Sequence, residues 1–163
     1  MLGLVVLASA CGGGSSKPSE TTPGASASAS GGPAPGDLVP LDRYPAKVPP
    51  HLSPFPTGLV YAGKADVRRL SKQAMRVVRF GEGHPAFEPS ILVGSPGQRL
   101  ELSISNRTPV LHNFSTLDGK IDHDVGIGRS MSVTVTFPAK GMLIFYCKYH
   151  LNDSQIGELE ARR

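Results

Sequence analysis

From about residue 58 onward, short runs of strand character stand between turn signals, and in two of them apolar and polar positions exchange with a period of two. Within residues 98–106, Leu100, Leu102 and Ile104 alternate with Arg99, Glu101, Ser103 and Ser105. That pattern predicts a strand with one face in a core and one in water. Residues 130–137 repeat it, with Met131, Val133, Val135 and Phe137 set against serines and threonines. Shorter strands are expected at 75–80, 90–93, 111–117, 142–146 and 156–160. Turn signals rich in Gly, Pro and Asp separate them, at 81–85, 94–97, 118–120, 126–128 and 138–141. One stretch, 65–74, reads as a short helix with Asp66 as its N-cap. Closely spaced short strands with no sustained helical period predict an antiparallel β-sandwich. There is no internal repeat and no candidate transmembrane helix.

The N-terminal third has a different composition. Residues 1–10 are apolar but too few to span a bilayer, which takes about 20. They read as the hydrophobic part of a signal peptide, ending in small residues, Ala8-Ser9-Ala10, before Cys11. The run resembles a bacterial lipobox, with Ala8 where leucine is commoner. That resemblance implies that Cys11 is acylated and becomes the mature N-terminus. Residues 12–36 are rich in Gly, Ser, Ala, Thr and Pro, including an Ala-Ser repeat at 25–30. Such a segment cannot bury a core, and about 25 flexible residues reach roughly 25–30 Å. Residues 37–56 are punctuated by Pro40, Pro45, Pro49, Pro50, Pro54 and Pro56, and read as an extended run draped over the domain. The expected division is a signal peptide at 1–11, a flexible linker at 12–58 and a folded domain at 59–163.

A net charge of +4 over 163 residues is too small and too dispersed to argue for nucleic acid. Lys64, Arg68, Arg69, Lys72, Arg76 and Arg79 form one basic stretch, relieved locally only by Asp66. The plainer reading is a solvated face. The functional one is docking to an acidic partner or to anionic lipid headgroups.

The chain has two cysteines. If Cys11 is acylated, Cys147 has no disulfide partner, and a lone thiol in an oxidising compartment calls for something to occupy it. Cys147 opens the run Cys147-Lys148-Tyr149-His150-Leu151-Asn152-Asp153-Ser154-Gln155-Ile156-Gly157, and a second imidazole lies upstream in His112-Asn113. One soft sulfur, two imidazoles and a weak further donor suit a mononuclear copper site that cycles between Cu(I) and Cu(II). His51, His84 and His123 have no partner at ligand spacing and read as structural or exposed. Met131 and Met142 alternate with polar residues and read as core.

These residues resemble the cupredoxins, the small blue copper proteins, over about residues 75–160. The resemblance rests on His112-Asn113, on Tyr146-Cys147-Lys148-Tyr149-His150, and on the segment from Phe87-Glu88-Pro89 to Gly97. It implies a Greek-key β-sandwich, copper held by His112, Cys147 and His150, and Asn113 tying the two ligand-bearing loops together. The family's axial methionine stands two residues before a glycine, and no methionine follows His150 here. Gln155-Ile156-Gly157 occupies that frame, as in the stellacyanin-like minority, so Gln155 falls on the axial position. Asp153 is the rival, because some relatives place the donor three residues after the histidine. An amide oxygen favours Cu(II) and lowers the reduction potential.

The implied function is one-electron transfer on the outer face of the cell membrane, by a monomer anchored through Cys11. The redox partner would dock near His150 on a patch of Pro109, Val110, Leu111 and Leu151. Two alternatives stand beside it: a surface lipoprotein that captures and delivers copper, and a metal-free binding module of the same fold. Catalysis is not expected, since there is no second metal site and no acid/base pair beside the first.

Overall fold

A computed structural model of the chain describes residues 31–81 and 83–163. Cys11 and residues 12–30 of the expected tether lie outside the described residues. Within them the protein is nearly all β, with twelve strands and one short 3-10 turn at Pro50–Leu52. The strands are β1 Leu38–Pro40, β2 Gly58–Val60, β3 Lys64–Asp66, β4 Lys72–Phe80, β5 His84–Glu88 and β6 Ile91–Gly94. They continue with β7 Arg99–Asn106, β8 His112–Thr116, β9 Asp122–Val125, β10 Ser130–Thr136, β11 Gly141–Tyr146 and β12 Ile156–Ala161.

Two sheets form a sandwich. One has four strands in the order β10-β7-β4-β5, the other six in the order β3-β6-β12-β11-β8-β9. Their inner faces supply Met75, Val77, Phe87, Leu92, Leu100, Leu102, Ile104, Phe114, Val135, Phe145 and Leu159 to one buried core. The alternation read in β7 is what puts Leu100, Leu102 and Ile104 there, each fully buried. Three aromatic rings form the centre of this core. Phe87 stands edge-on to Phe114 and Phe145 at 5.7 and 5.3 Å, and Phe114 stacks on Phe145 at 5.1 Å.

The pairing is mixed rather than purely antiparallel. β4 runs parallel to β7, and β6 runs parallel to both β3 and β12. Parallel neighbours need a connection that leaves and re-enters the sheet. Here the chain from β4 to β7 passes through β6 of the opposite sheet.

The helix expected at 65–74 is not formed. Residues 64–66 are β3, paired with β6. The Asp66 carboxylate accepts the Arg68 N–H at 3.1 Å, a local bond that turns the chain instead of starting a helix. β4 then begins at Lys72.

The N-terminal boundary also differs. Residues 31–163 make up one compact unit, so the domain reaches well before residue 59. β1 pairs with β2, and Leu41, Leu52 and Phe55 are buried against Leu59, Ile144, Tyr146 and Ile156. Along β11, Phe145 faces the inner core while Ile144 and Tyr146 face outward. Residues 37–60 therefore act as a strap over the outer face of the six-stranded sheet, an apolar face that would otherwise meet water. The prolines reflect extended backbone, and the apolar anchors between them are what bind the strap.

Four cations of the basic stretch are paired in space. Lys64 meets Glu160 at 2.9 Å, Lys72 meets Glu101 at 3.1 Å, Arg76 meets Glu88 at 2.5 Å, and Arg68 grips Asp66. Most of these carboxylates come from other strands, so the local sequence hides them.

Candidate metal centre

The centre lies at one end of the sandwich, where β11 leaves the sheet and returns as β12. The returning loop is closed by its own backbone. The Cys147 N–H donates to the Gln155 carbonyl at 3.0 Å, and the His150 carbonyl accepts from the N–H groups of Asp153 and Gln155, each at 3.2 Å. Ser154 takes a left-handed backbone (φ 58°) at the bend, which costs a non-glycine residue about 1–2 kcal/mol. That bend returns the chain so that Gln155 lies beside Cys147 rather than in solvent.

β8 brings the other half. It lies next to β11 in the sheet, is buried along its whole length, and starts with His112. The Asn113 N–H points at the Cys147 sulfur at 3.3 Å. His112, Cys147 and His150 offer ligand atoms that all lie within 4.8 Å of one another, and they are the only such His/Cys/Asp/Glu group found among the described residues. Nδ1 of His150 is 3.4 Å from the sulfur and Nδ1 of His112 is 3.9 Å from it. Donors bonded to one ion at about 2–2.3 Å stand at separations of this order.

Gln155 lies beside the group. Its side chain is fully buried, and Oε1 lies 2.8 Å from Nδ1 of His112. Its Nε2 is a buried atom without a hydrogen-bond partner. Asp153, the rival donor, is exposed and lines a cavity of about 200 Å³ beside the two imidazoles, together with Thr108 and Val110. His51, His84 and His123 are exposed and stand apart from the group. Met131 and Met142 are only partly buried, at the margins of the two cores.

The surroundings set the electrostatics. Burial pushes the Cys147 thiol up, with backbone N–H groups, Asn113 first, working against it. Burial likewise lowers His112 to about 4, opposed by its bond to Gln155 and helped by His150 and Arg79. A buried neutral imidazole beside a buried sulfur is a ligand set in waiting, and binding of a cation would displace the thiol proton.

The Asn113 side chain makes no direct bond to the Cys147 loop among the described residues and reaches it only through β9. Its Nδ2 donates to Asp122 at 2.7 Å and Asp124 at 3.1 Å, and its Oδ1 accepts the Ser115 hydroxyl at 2.6 Å. Those aspartates also hold the loop, since Lys148 reaches Asp122 at 2.9 Å and the Tyr149 hydroxyl reaches Asp124 at 3.0 Å. The aspartates carry no spacing signal, and their strand, β9, is mostly exposed and was not expected.

A second arrangement unforeseen from sequence supports His112 from behind. Its Nε2 meets the Thr108 hydroxyl at 2.8 Å, and that hydroxyl meets Asn106 Oδ1 at 2.8 Å. His150, in contrast, is only partly buried; it lines the same cavity as Val110, and Val110 and Leu111, just before His112 in sequence, are exposed.

A β-sandwich that brings one thiol and two imidazoles together at one end, with an amide oxygen beside them, offers a donor set that fits copper. Structural zinc usually takes more sulfur, and a soft thiolate with imidazoles suits Cu(I) and Cu(II).

No protein-family model matches the chain, and no curated protein sequence matches it. Solved structures do resemble it. The metal-binding domain of the Cu(I)-exporting P-type ATPase CopA of Streptococcus pneumoniae D39, crystallised with Cu(I), superposes with a TM-score of 0.50 at 14% identity. That match covers 63% of this chain and 98% of the other. Dithionite-reduced auracyanin from Roseiflexus castenholzii gives a TM-score of 0.46 at 17% identity, covering 57% of this chain and 98% of that one. Auracyanin B gives 0.47 at 17% identity, covering 64% and 94%. At these identities the likeness concerns the fold.

Proposed function

We propose that this protein is a mononuclear copper protein that carries single electrons, with His112, Cys147, His150 and Gln155 as the metal's ligands. The observation that carries the reading is the convergence of four donors of that chemistry in one buried pocket. Copper bound there supplies a one-electron couple. The residues do the rest. The loop from Cys147 to Gln155, closed by its own hydrogen bonds and tied to β9 through Lys148 and Tyr149, keeps the donors in place in both redox states. Gln155 offers a hard oxygen and favours the oxidised ion, which sets a low potential. Asn113 donates its N–H toward the sulfur and steadies the thiolate.

His150 is the exit for electrons, being the partly exposed ligand. Val110 and Leu111, at 38% and 42% exposure, with Pro109 and Leu151 form a small apolar patch for a redox partner, and weak redox encounters use small interfaces. The protein works as a monomer on the outer face of the membrane, held through an acylated Cys11 by the tether that precedes the domain. It is a carrier and not an enzyme.

Voltammetry of the copper-loaded protein tests the function. A reversible one-electron wave supports it. Copper that is bound but lost on each reduction, and captured by a Cu(I) chelator, points to copper delivery instead. Failure of the folded protein to bind copper leaves a metal-free binding module.

A further inference from the structure

We propose that Thr108, oriented by Asn106, is a positioning residue that decides which nitrogen of His112 is free to bind the metal. The proposal rests on the copper reading above but has its own observable.

Asn106 is fully buried. Its Nδ2 donates to the carbonyl of Val110 at 2.8 Å and of Val125 at 3.0 Å. Two carbonyls thus occupy both amide hydrogens, and the side chain cannot be reversed without facing oxygen to oxygen. Its Oδ1 must then be the acceptor, and it receives the Thr108 N–H at 2.9 Å and the Thr108 hydroxyl at 2.8 Å. A hydroxyl has one hydrogen and two lone pairs. With its hydrogen on Asn106, Thr108 presents a lone pair to Nε2 of His112, 2.8 Å away. Nε2 must therefore carry the ring hydrogen, and Nδ1 is left bare. The carbonyl of Val110, a second acceptor for the hydroxyl at 3.3 Å, leads to the same result.

Nδ1 is the atom that faces Cys147 and Gln155. The opposite tautomer would put two lone pairs against each other at the 2.8 Å contact between Thr108 and Asn106. It would also place a hydrogen on Nδ1, in the way of the metal. The cost of the chosen tautomer falls on Gln155, whose Oε1 then meets a bare Nδ1. Gln155 can turn its amide to offer a hydrogen, because its Nε2 has no other partner. Asn106 cannot turn. The arrangement therefore resolves in one direction: two carbonyls fix Asn106, Asn106 fixes Thr108, and Thr108 fixes His112.

Valine at 108 keeps the shape of threonine and removes the acceptor, leaving a buried N–H unpaired. The ring then gains by moving its hydrogen to Nδ1 and donating it to Gln155. The test is nitrogen-15 NMR of the imidazole rings in the metal-free protein, with copper affinity measured alongside by chelator competition. In the wild type and in Thr108→Ser, His112 shows the Nε2–H form and the two affinities agree within a few-fold. In Thr108→Val, the Nδ1–H form grows and affinity falls about 10–100-fold, as for other partners of metal-bound histidines. A Thr108→Val protein with unchanged tautomer and affinity overturns the proposal. So does a wild-type protein in the Nδ1–H form, a result that needs no variant to fold. Should the wild type bind no copper, the copper reading falls, and the tautomer still decides the role of Thr108.

Discussion

The side-chain oxygen of Gln155 lies 2.8 Å from Nδ1 of His112, in a pocket that excludes water from both. The two residues are 43 positions apart in sequence and meet only because Ser154 bends the chain back toward β8. Their contact places the amide beside the proposed ligands, as the proposed fourth donor. Replacing it by a thioether, Gln155→Met, exchanges a hard donor for a soft one and favours the reduced ion. The variant is expected to show a higher reduction potential than the wild type by voltammetry under the same conditions. An unchanged potential would mean that Gln155 is not a ligand.

The glycine two residues later has a packing reason. On β12, Gly157 faces the inner core, and a Cβ there would overlap the ring of Phe145 and the carbonyl oxygen of Ser90. Neither can retreat easily, since Phe145 is locked in the aromatic trio. Gly157→Ala is expected to destabilise the fold by about 1–3 kcal/mol or more, as overpacked cores do. A denaturant midpoint equal to that of the wild type would show that the site has more room than the structure gives it.

The strap makes a separate prediction. Phe55 is buried at 5% exposure and stands edge-on to Tyr44 and Tyr146, at 6.3 and 6.4 Å. Phe55→Ala is expected to cost about 3 kcal/mol or more in equilibrium unfolding. A loss below about 1 kcal/mol would mean that residues 37–60 are not part of the cooperative unit.

Under the strap, Glu158 predicts a dependence on pH. It is 1% exposed and accepts the Asp42 N–H at 3.1 Å. Burial, chiefly, raises its pKa from 4.5 to about 7, with Glu160 and Asp42 adding to the rise and Lys64 opposing it. The folded state thus holds a proton that the unfolded state releases. The associated stability is fully present below pH 4.5 and is lost as pH rises through about 7, a change of up to about 3 kcal/mol. In the metal-free protein His112 acts in the opposite sense. Its lowered pKa gives stability present above pH 6.5 and lost as pH falls through about 4. The difference between Glu158→Gln and the wild type isolates the carboxylate. The variant is expected to gain relative stability between pH 4.5 and 7, followed by denaturation at each pH. A difference that does not vary over that range would remove Glu158 from the account.

Much of this molecule is legible in its sequence, for reasons that differ between elements. β7 and β10 each have a solvent face, so Leu100, Leu102 and Ile104 stand out by alternation. β8 is buried on both faces and shows no period, yet the His112-Asn113 pair marks it. β9 is exposed and built of Asp122, His123 and Asp124, which no strand pattern predicts. The Cys147 to Gln155 loop is local in sequence, so its donors can be read directly. Asn106 and Thr108 reach the site from β7 and the loop before β8, and polar residues at a strand end ordinarily mean only a turn. The strap reads as an extended run draped over the domain, but its six prolines place it within the linker and mask Leu41, Leu52 and Phe55 as its buried anchors. At 65–74, Asp66 has the position and type of a helix cap, whereas its carboxylate closes a turn.

The central claim is that Cys147 binds copper as a thiolate together with His112 and His150. Adding Cu(II) to the metal-free protein and recording its visible absorption tests this most directly. The account predicts an intense thiolate-to-copper band at one copper per chain, abolished in Cys147→Ser. A colourless copper complex, or a band that survives Cys147→Ser, would contradict it.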